Sequence, residues 1–306
     1  SRGRIWANTW ALVQAHPWTG VGVGAFNFVW SMTPFPGRPV AFFDHSHNLP
    51  LQLAVESGLP LAGAVLAGVA WAGWRARRAL VDADEERARD ARTALFMLVM
   101  VGVHSLLEYP LWYVYFLLPA MMLAGWLTGS VPASVEPARP PAAAPGWRLR
   151  LGPWLWSVTG ALALVASVWS TVEYWTVSVI FEPELSFGEA EPLSARIERG
   201  RRSVLWGHHA DYARATMAKA PEEVFDAFDR PLHHLADTRL MIAYARALEG
   251  RGETARAAHV AARLREFRNP ASAEFFSVCD APGSDRRPTP FQCLPDPALP
   301  AELMRP

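Results

Sequence analysis

Residues 151–171, LGPWLWSVTGALALVASVWST, decide the fold class. The run holds no Asp, Glu, Lys or Arg, and its length meets the roughly 20 apolar residues that a helix needs to cross a bilayer. Trp154, Trp156, Trp169 and Trp175 frame it as interfacial anchors. Working back along the chain, Pro110 to about Leu127 (PLWYVYFLLPAMMLAGWL) is a second such run. Leu59 to Trp74 and Thr93 to Leu107 are shorter and need their flanks. Trp71 and Trp74 give the first of these an interfacial belt, and Arg75 can snorkel. The expectation is an all-α chain: polytopic, with four transmembrane helices, followed by a helical soluble domain.

Orientation follows from the short connections. Arg75, Arg77, Arg78, Arg87, Arg89 and Arg92 lie between the first two runs, and Arg139, Arg148 and Arg150 lie in the Pro/Ala-rich linker from Thr128 to Gly152. The turn Glu108-Tyr109-Pro110 has no basic residue. The positive-inside rule puts the Arg-rich connections in the cytoplasm, so residues 1–58, the Glu108 turn and residues 172–306 face outward. Three domains are expected: an outer catalytic loop (1–58), a membrane domain (59–171) and an outer helical domain (172–306). The chain opens at Ser1 with no signal peptide and no membrane helix ahead of its motif-bearing loop. It is therefore expected to be the C-terminal part of a larger protein. A net charge of zero gives no electrostatic reason to expect nucleic acid as a partner.

The tail carries Ala and Leu at three- and four-residue spacings in LADTRLMIAYARALEGRGETARAAHVAARLREFRNP. Gly250 and Gly252 divide it into two helices and Asn269-Pro270 closes it. The hairpin is of the tetratricopeptide kind, or belongs to a generic helical domain. Cys279 and Cys293 fit one disulfide in an oxidising compartment, the alternative being two unrelated thiols. The His208-His209 and His233-His234 pairs read as surface histidines.

The chemistry sits in residues 1–58. Pro50 suits the first turn of a helix that LQLAVES continues until Gly58-Leu59-Pro60 ends it. His47 then lies just before a helix N-terminus, where anions are favoured and a neutral imidazole can serve as a base. GVGVG (Gly20 to Gly24) matches neither dinucleotide nor P-loop spacing and reads as a tight turn. His45-x-His47 beside Asp44 lacks a third ligand, so no metal is expected. His104 and Glu108, four apart, share one helix face and either line a cavity or sit solvated at the interface.

RIWANTWALVQAHPWTGVGVGAFNFVW followed by DHSHNLPLQLAVESGLP resembles the C-terminal signature of the O-antigen ligase and polymerase superfamily. HSLLEYPLWY and the soluble tail are more similar to the bacterial O-oligosaccharyltransferases that glycosylate pilin-like proteins. The resemblance implies a multi-pass protein of the bacterial inner membrane. It implies transfer of an oligosaccharide from undecaprenyl diphosphate in the periplasm, with neither metal nor other cofactor. It maps the family's key basic residue and histidine onto Arg4 and His47. Arg38 would assist on the diphosphate, Asp44 or His45 would orient His47, and Asn48, His104 and Glu108 complete the substrate contacts. The acceptor is a protein hydroxyl, a lipid A core sugar or a growing glycan, and the tail favours protein. A non-enzymatic scaffold has no need of the His/Arg loop, and no inverted repeat suggests a transporter.

Overall fold

The computed structural model describes residues 2–81, 84–129, 146–186, 191–280 and 289–306, with backbone alone for 146–157. The Pro/Ala-rich linker with Arg139, the side chains of Arg78, Arg148, Arg150, Trp154 and Trp156, and most of the loop between the cysteines lie outside this description. Among the described residues all regular structure is helical. The chain forms two compact units, 1–136 and 137–306.

The first unit contains α1 (Arg2–Ala15), α2 (Phe26–Met32), α3 (Leu49–Ala76), α4 (Glu85–His104) and α5 (Val114–Gly129). All seven residues of α2 are buried, so it is a core helix rather than an amphipathic one. Arg38 closes its C-terminal end: Nη1 donates to the Trp30 carbonyl at 2.7 Å, Nη2 donates to the Thr33 carbonyl, and the guanidinium lies 4.7 Å from the Trp30 ring centroid. These carbonyls would otherwise lack partners at a helix end.

Helix α3 begins as a well-capped helix. Asn48 Oδ1 accepts from the Leu51 amide at 2.9 Å, and Pro50 sits in the first turn, where its missing N–H costs nothing. The helix stops at Gly58, as expected, where the backbone leaves the helical region, and a second helical segment continues across this kink to Ala76. Pro60 has no N–H for the Glu56 carbonyl, and Leu59 gives its N–H to the Pro17 carbonyl at 2.8 Å. The freed carbonyls of Val55 and Glu56 accept from Val21 (2.8 Å) and Gly22 (3.1 Å). The glycine-rich turn is therefore bonded by its backbone into the kink. Gly58 has φ 79° and ψ 164°, a region open essentially to glycine alone. A Cβ on Gly58 would overlap the Trp18 carbonyl, and one on Gly20 would overlap the backbone of Glu56.

The boundary expected at 58/59 falls at the kink of α3, whereas the one expected at 171/172 falls within α6 (Gly146–Phe181). Two helical stretches are long and apolar enough to cross a membrane, Leu49–Ala76 and Val158–Phe181. Val114–Gly129 is apolar but shorter, and α4 carries Glu85, Glu86, Arg87, Arg89, Asp90 and Arg92 in its first half. Leu61, Val69, Phe96, Met100, Met122 and Val165 are exposed apolar side chains on these helices, a surface too apolar for water. This is a membrane protein. Small residues let its helices approach: Ala76, Ala91 and Leu127 are buried together, with Leu80, Leu95 and Leu98 against them.

The second unit runs from α6 through α7 (Leu193–Arg201), α8 (Gly207–Met217), α9 (Asp229–His234), α10 (Thr238–Gly250), α11 (Thr254–Phe267) and α12 (Ala273–Asp280). Val177 and Ile180 of α6 share a core with Ile197, Ala210 and Ala213. Buried Asp211 is held by Arg201 at 2.7 Å and Arg230 at 2.6 Å. The helices divided at Gly250 and Gly252 form as expected, with Asp237 capping α10 at 2.8 Å and Gly252 at φ 79°. The histidine pairs are not simple surface residues. His208 and His209 are half-buried, and the His208 ring stacks 3.7 Å from that of the exposed His234. Burial, first, and then His234 lower His208 to a pKa of about 4.

Cys279 and Cys293 are joined as a disulfide. Beyond it, the terminal segment lies over α10 and α11. Asp296 accepts from His259 Nδ1 at 2.9 Å and pairs with Arg263, and Tyr244 Oη donates to the Met304 carbonyl at 2.6 Å. Thiol labelling of the oxidised protein should find no free cysteine. The Cys279→Ser/Cys293→Ser variant should lose about 3 kcal/mol of unfolding free energy in this unit, read by denaturant titration. Full labelling without reductant would contradict the pairing in solution.

Candidate active site

Three segments of the first unit meet around His47: the first turn of α1, the loop 44–48 before α3, and the turn 105–112 after α4. Backbone and cap hydrogen bonds hold them in register. The Leu49 amide donates to the Ser105 carbonyl at 2.8 Å, and Asn48 Nδ2 donates to the Leu106 carbonyl at 3.0 Å. Trp6 Nε1 on α1 donates to the Ser46 carbonyl at 3.0 Å, and the Ser46 amide donates to Gln52 Oε1 at 2.8 Å. Asn48, expected to contact substrate, is therefore committed on both sides of its amide. It caps α3 and clamps the two loops.

At the centre, His47 Nδ1 lies 2.6 Å from Glu108 Oε2. A carboxylate accepts hydrogen bonds, so the proton sits on Nδ1 and the lone pair is left on Nε2. The imidazole is further fixed edge-on between Phe43 (5.3 Å) and Tyr109 (4.9 Å), with 18% of its side chain exposed. His47 is also one of the few non-glycine residues with positive φ, at 55°. The other Glu108 oxygen pairs with Arg2. The hydrogen bond from His47, above all, holds the Glu108 carboxyl below its usual range, with Arg2 adding to the effect. This favours the ionised form of Glu108 beside the His47 ring.

Several assignments change here. Arg2, rather than Arg4, reaches this cluster. Residues two apart on a helix face different ways, and Arg4 is exposed with no ion pair among the described residues. Arg38 is 4% exposed and spends its guanidinium on α2, so it is a structural residue. Glu108 does not share a helix face with His104. Helix α4 ends at His104, Glu108 lies in the turn beyond, and the exposed His104 ring instead meets Phe116 at 5.8 Å. His45 stacks on Tyr109 at 4.8 Å and meets Trp112 edge-on at 4.8 Å, with Asp44 3.2 Å from its Nδ1. That contact with His45 holds the Asp44 carboxyl below its usual range. Asp44 and His45 thus flank the loop without touching the His47 ring nitrogens. The amides of Val21, Gly22 and Gly24 bond to Val55, Glu56 and the Glu56 side chain (3.1 Å), so this turn is no phosphate cradle.

Two family profiles match the chain. Residues 93–276 match one described as "Virulence factor membrane-bound polymerase, C-terminal", which takes in Glu108 and its turn. Residues 1–66 match one described as "O-Antigen ligase", which takes in Arg2, Arg4 and His47. The chain belongs to the virulence-factor membrane-bound polymerase family, within the O-antigen ligase superfamily. It is also similar to the general O-oligosaccharyltransferase of Acinetobacter baylyi (strain ATCC 33305 / BD413 / ADP1), at 30% identity over 129 residues. That alignment covers 42% of this chain and 22% of the relative. No solved structure matches. The two superfamily profiles thus contribute one partner each to the His47–Glu108 pair, which only the folded chain brings into contact.

Proposed function

We propose that this chain carries the catalytic part of a membrane glycosyltransferase that moves an oligosaccharide from an undecaprenyl-diphosphate carrier to an acceptor hydroxyl. The observation that carries the reading is the 2.6 Å His47–Glu108 contact. It orients an imidazole with its free nitrogen available, the arrangement a general base requires. Nε2 accepts the acceptor's proton as its oxygen bonds to the anomeric carbon. The bond from that carbon to the phosphate oxygen breaks, and the lipid diphosphate leaves. Arg4 is the guanidinium we assign to the diphosphate. Arg2 is already balanced by Glu108, whereas Arg4 has no carboxylate partner among the described residues, so a dianion gains most there. Residues 1–58, the Glu108 turn and the tail are proposed to be periplasmic, with four membrane passes between. The acceptor we favour is a protein hydroxyl, because the helical tail offers surfaces suited to protein contacts and the similar Acinetobacter baylyi protein is a general O-oligosaccharyltransferase. A growing glycan is the second reading, favoured by the polymerase profile over residues 93–276.

Expression of the full-length gene in a strain lacking its own ligase separates these readings. A mobility shift of a pilin-like protein is the expected result. A shift of lipopolysaccharide alone, or lengthening of the glycan alone, would replace the acceptor. No glycan transfer to any of the three would remove the enzymatic reading.

A further inference from the structure

The turn after α4 brings more than Glu108 to His47. Tyr109 stacks on His45 and meets the His47 ring edge-on at 4.9 Å. Tyr109 also stacks on Tyr113 at 5.7 Å, and Tyr113 stacks on Tyr115 at 5.3 Å. Successive planes differ by 25° and 22°, so the phenol rings form a near-parallel series from the base into the first turn of α5. Exposure rises along it: Tyr109 is half-buried, Tyr113 is 43% exposed and Tyr115 65% exposed. A cluster serving only to pack the loop would bury its rings. Here the inner ring is fixed by histidines and the outer rings are left open.

The chemistry of such a surface is selective. A pyranose ring presents a face of C–H bonds with partial positive charge, which suits the negative face of an aromatic ring. Each phenol adds a donor and acceptor for sugar hydroxyls. Stacking holds the rings in place before any ligand arrives, so little ordering remains to be done on binding. We propose that Tyr109, Tyr113 and Tyr115 form a saccharide platform that seats a pyranose ring of the donor glycan beside His47. The donor is the occupant because the series leads into α5, whose apolar run starts at Val114. A sugar anchored to lipid sits at that level. This inference rests on the glycosyl-transfer reading of the same site.

The test uses membranes carrying the full-length protein, with lipid-linked oligosaccharide extracted from the producing strain as the donor. Tyr113→Leu and Tyr115→Leu should each raise the donor KM by about tenfold and change kcat little, as expected for the loss of one stacking contact. Tyr113→Phe and Tyr115→Phe keep the ring and should stay within about threefold of wild type. Unchanged donor KM in the leucine variants overturns the platform. So does a fall in inserted protein with unchanged KM, which would make these rings lipid anchors. If Tyr113→Leu does not accumulate, Tyr115→Leu at the most exposed ring decides. His47→Ala is measured in parallel. Undiminished transfer by that variant overturns the reading of the base, whereas His47-dependent transfer with unchanged KM in the tyrosine variants overturns the platform alone.

Discussion

His47→Ala in the full-length protein is expected to lower glycan transfer by about 10²–10⁴-fold, the range a positioned general base contributes. Protein level and membrane insertion should stay at wild type. The side chain is not part of the buried core, and the loop is held by other groups: Asn48 on Leu51 and Leu106, and Leu49 on Ser105. His45→Ala is the matched control. His45 packs between Tyr109 and Trp112, so its loss loosens the loop and should give a milder defect. Transfer is best measured from a radiolabelled donor at several pH values. Wild-type transfer by a normally inserted His47→Ala protein would remove this residue from the mechanism.

The largest expected effect on folding is at Gly58. Gly58→Ala forces an L side chain into φ 79°, ψ 164°, which costs about 1–3 kcal/mol. Its Cβ also overlaps the Trp18 carbonyl, and overpacking adds roughly 1–3 kcal/mol more. The neighbour is backbone, itself tied by the Pro17–Leu59 hydrogen bond, so it cannot swing aside as a side chain could. The variant should fail to accumulate as a monodisperse species in detergent, as read by fluorescence-detected gel filtration. Gly63→Ala on the same helix meets nothing within 4 Å and should behave as wild type. Equal behaviour of the two variants would mean that the kink is not held by this contact.

Part of this was legible in the sequence. Long apolar runs announce helices by composition alone, and each of the four expected runs falls on one. Pro50 and Asn48 mark the start of α3 because capping is local. The break at Gly58 was legible too, because Gly-Leu-Pro stops a helix locally, but the second helical segment that follows at once was read only as a separate run. Val21 and Gly22 take the carbonyls freed at this break from 34 residues away, and no local pattern encodes that. The site divides in the same way. The placement of His47 just before a helix was legible from Asn48 and Pro50. Its partner Glu108 was suspected, but as a companion of His104, because the sequence does not show where α4 stops. Arg2 and Arg4 differ only in helix register relative to the loop. A buried arginine such as Arg38 reads the same in sequence as an arginine waiting for phosphate.

The backbone of His47 has a consequence of its own. At φ 55° the position lies in the left-handed region, which suits glycine better than any residue with a Cβ, so the chain holds a residue there that its local conformation does not favour. Directed evolution for heat tolerance would feel that preference. A screen that scored only survival after warming would be drawn to this codon and would return sturdier proteins without the imidazole proposed as the base. Any thermostabilisation campaign on this protein needs turnover in its selection from the first round.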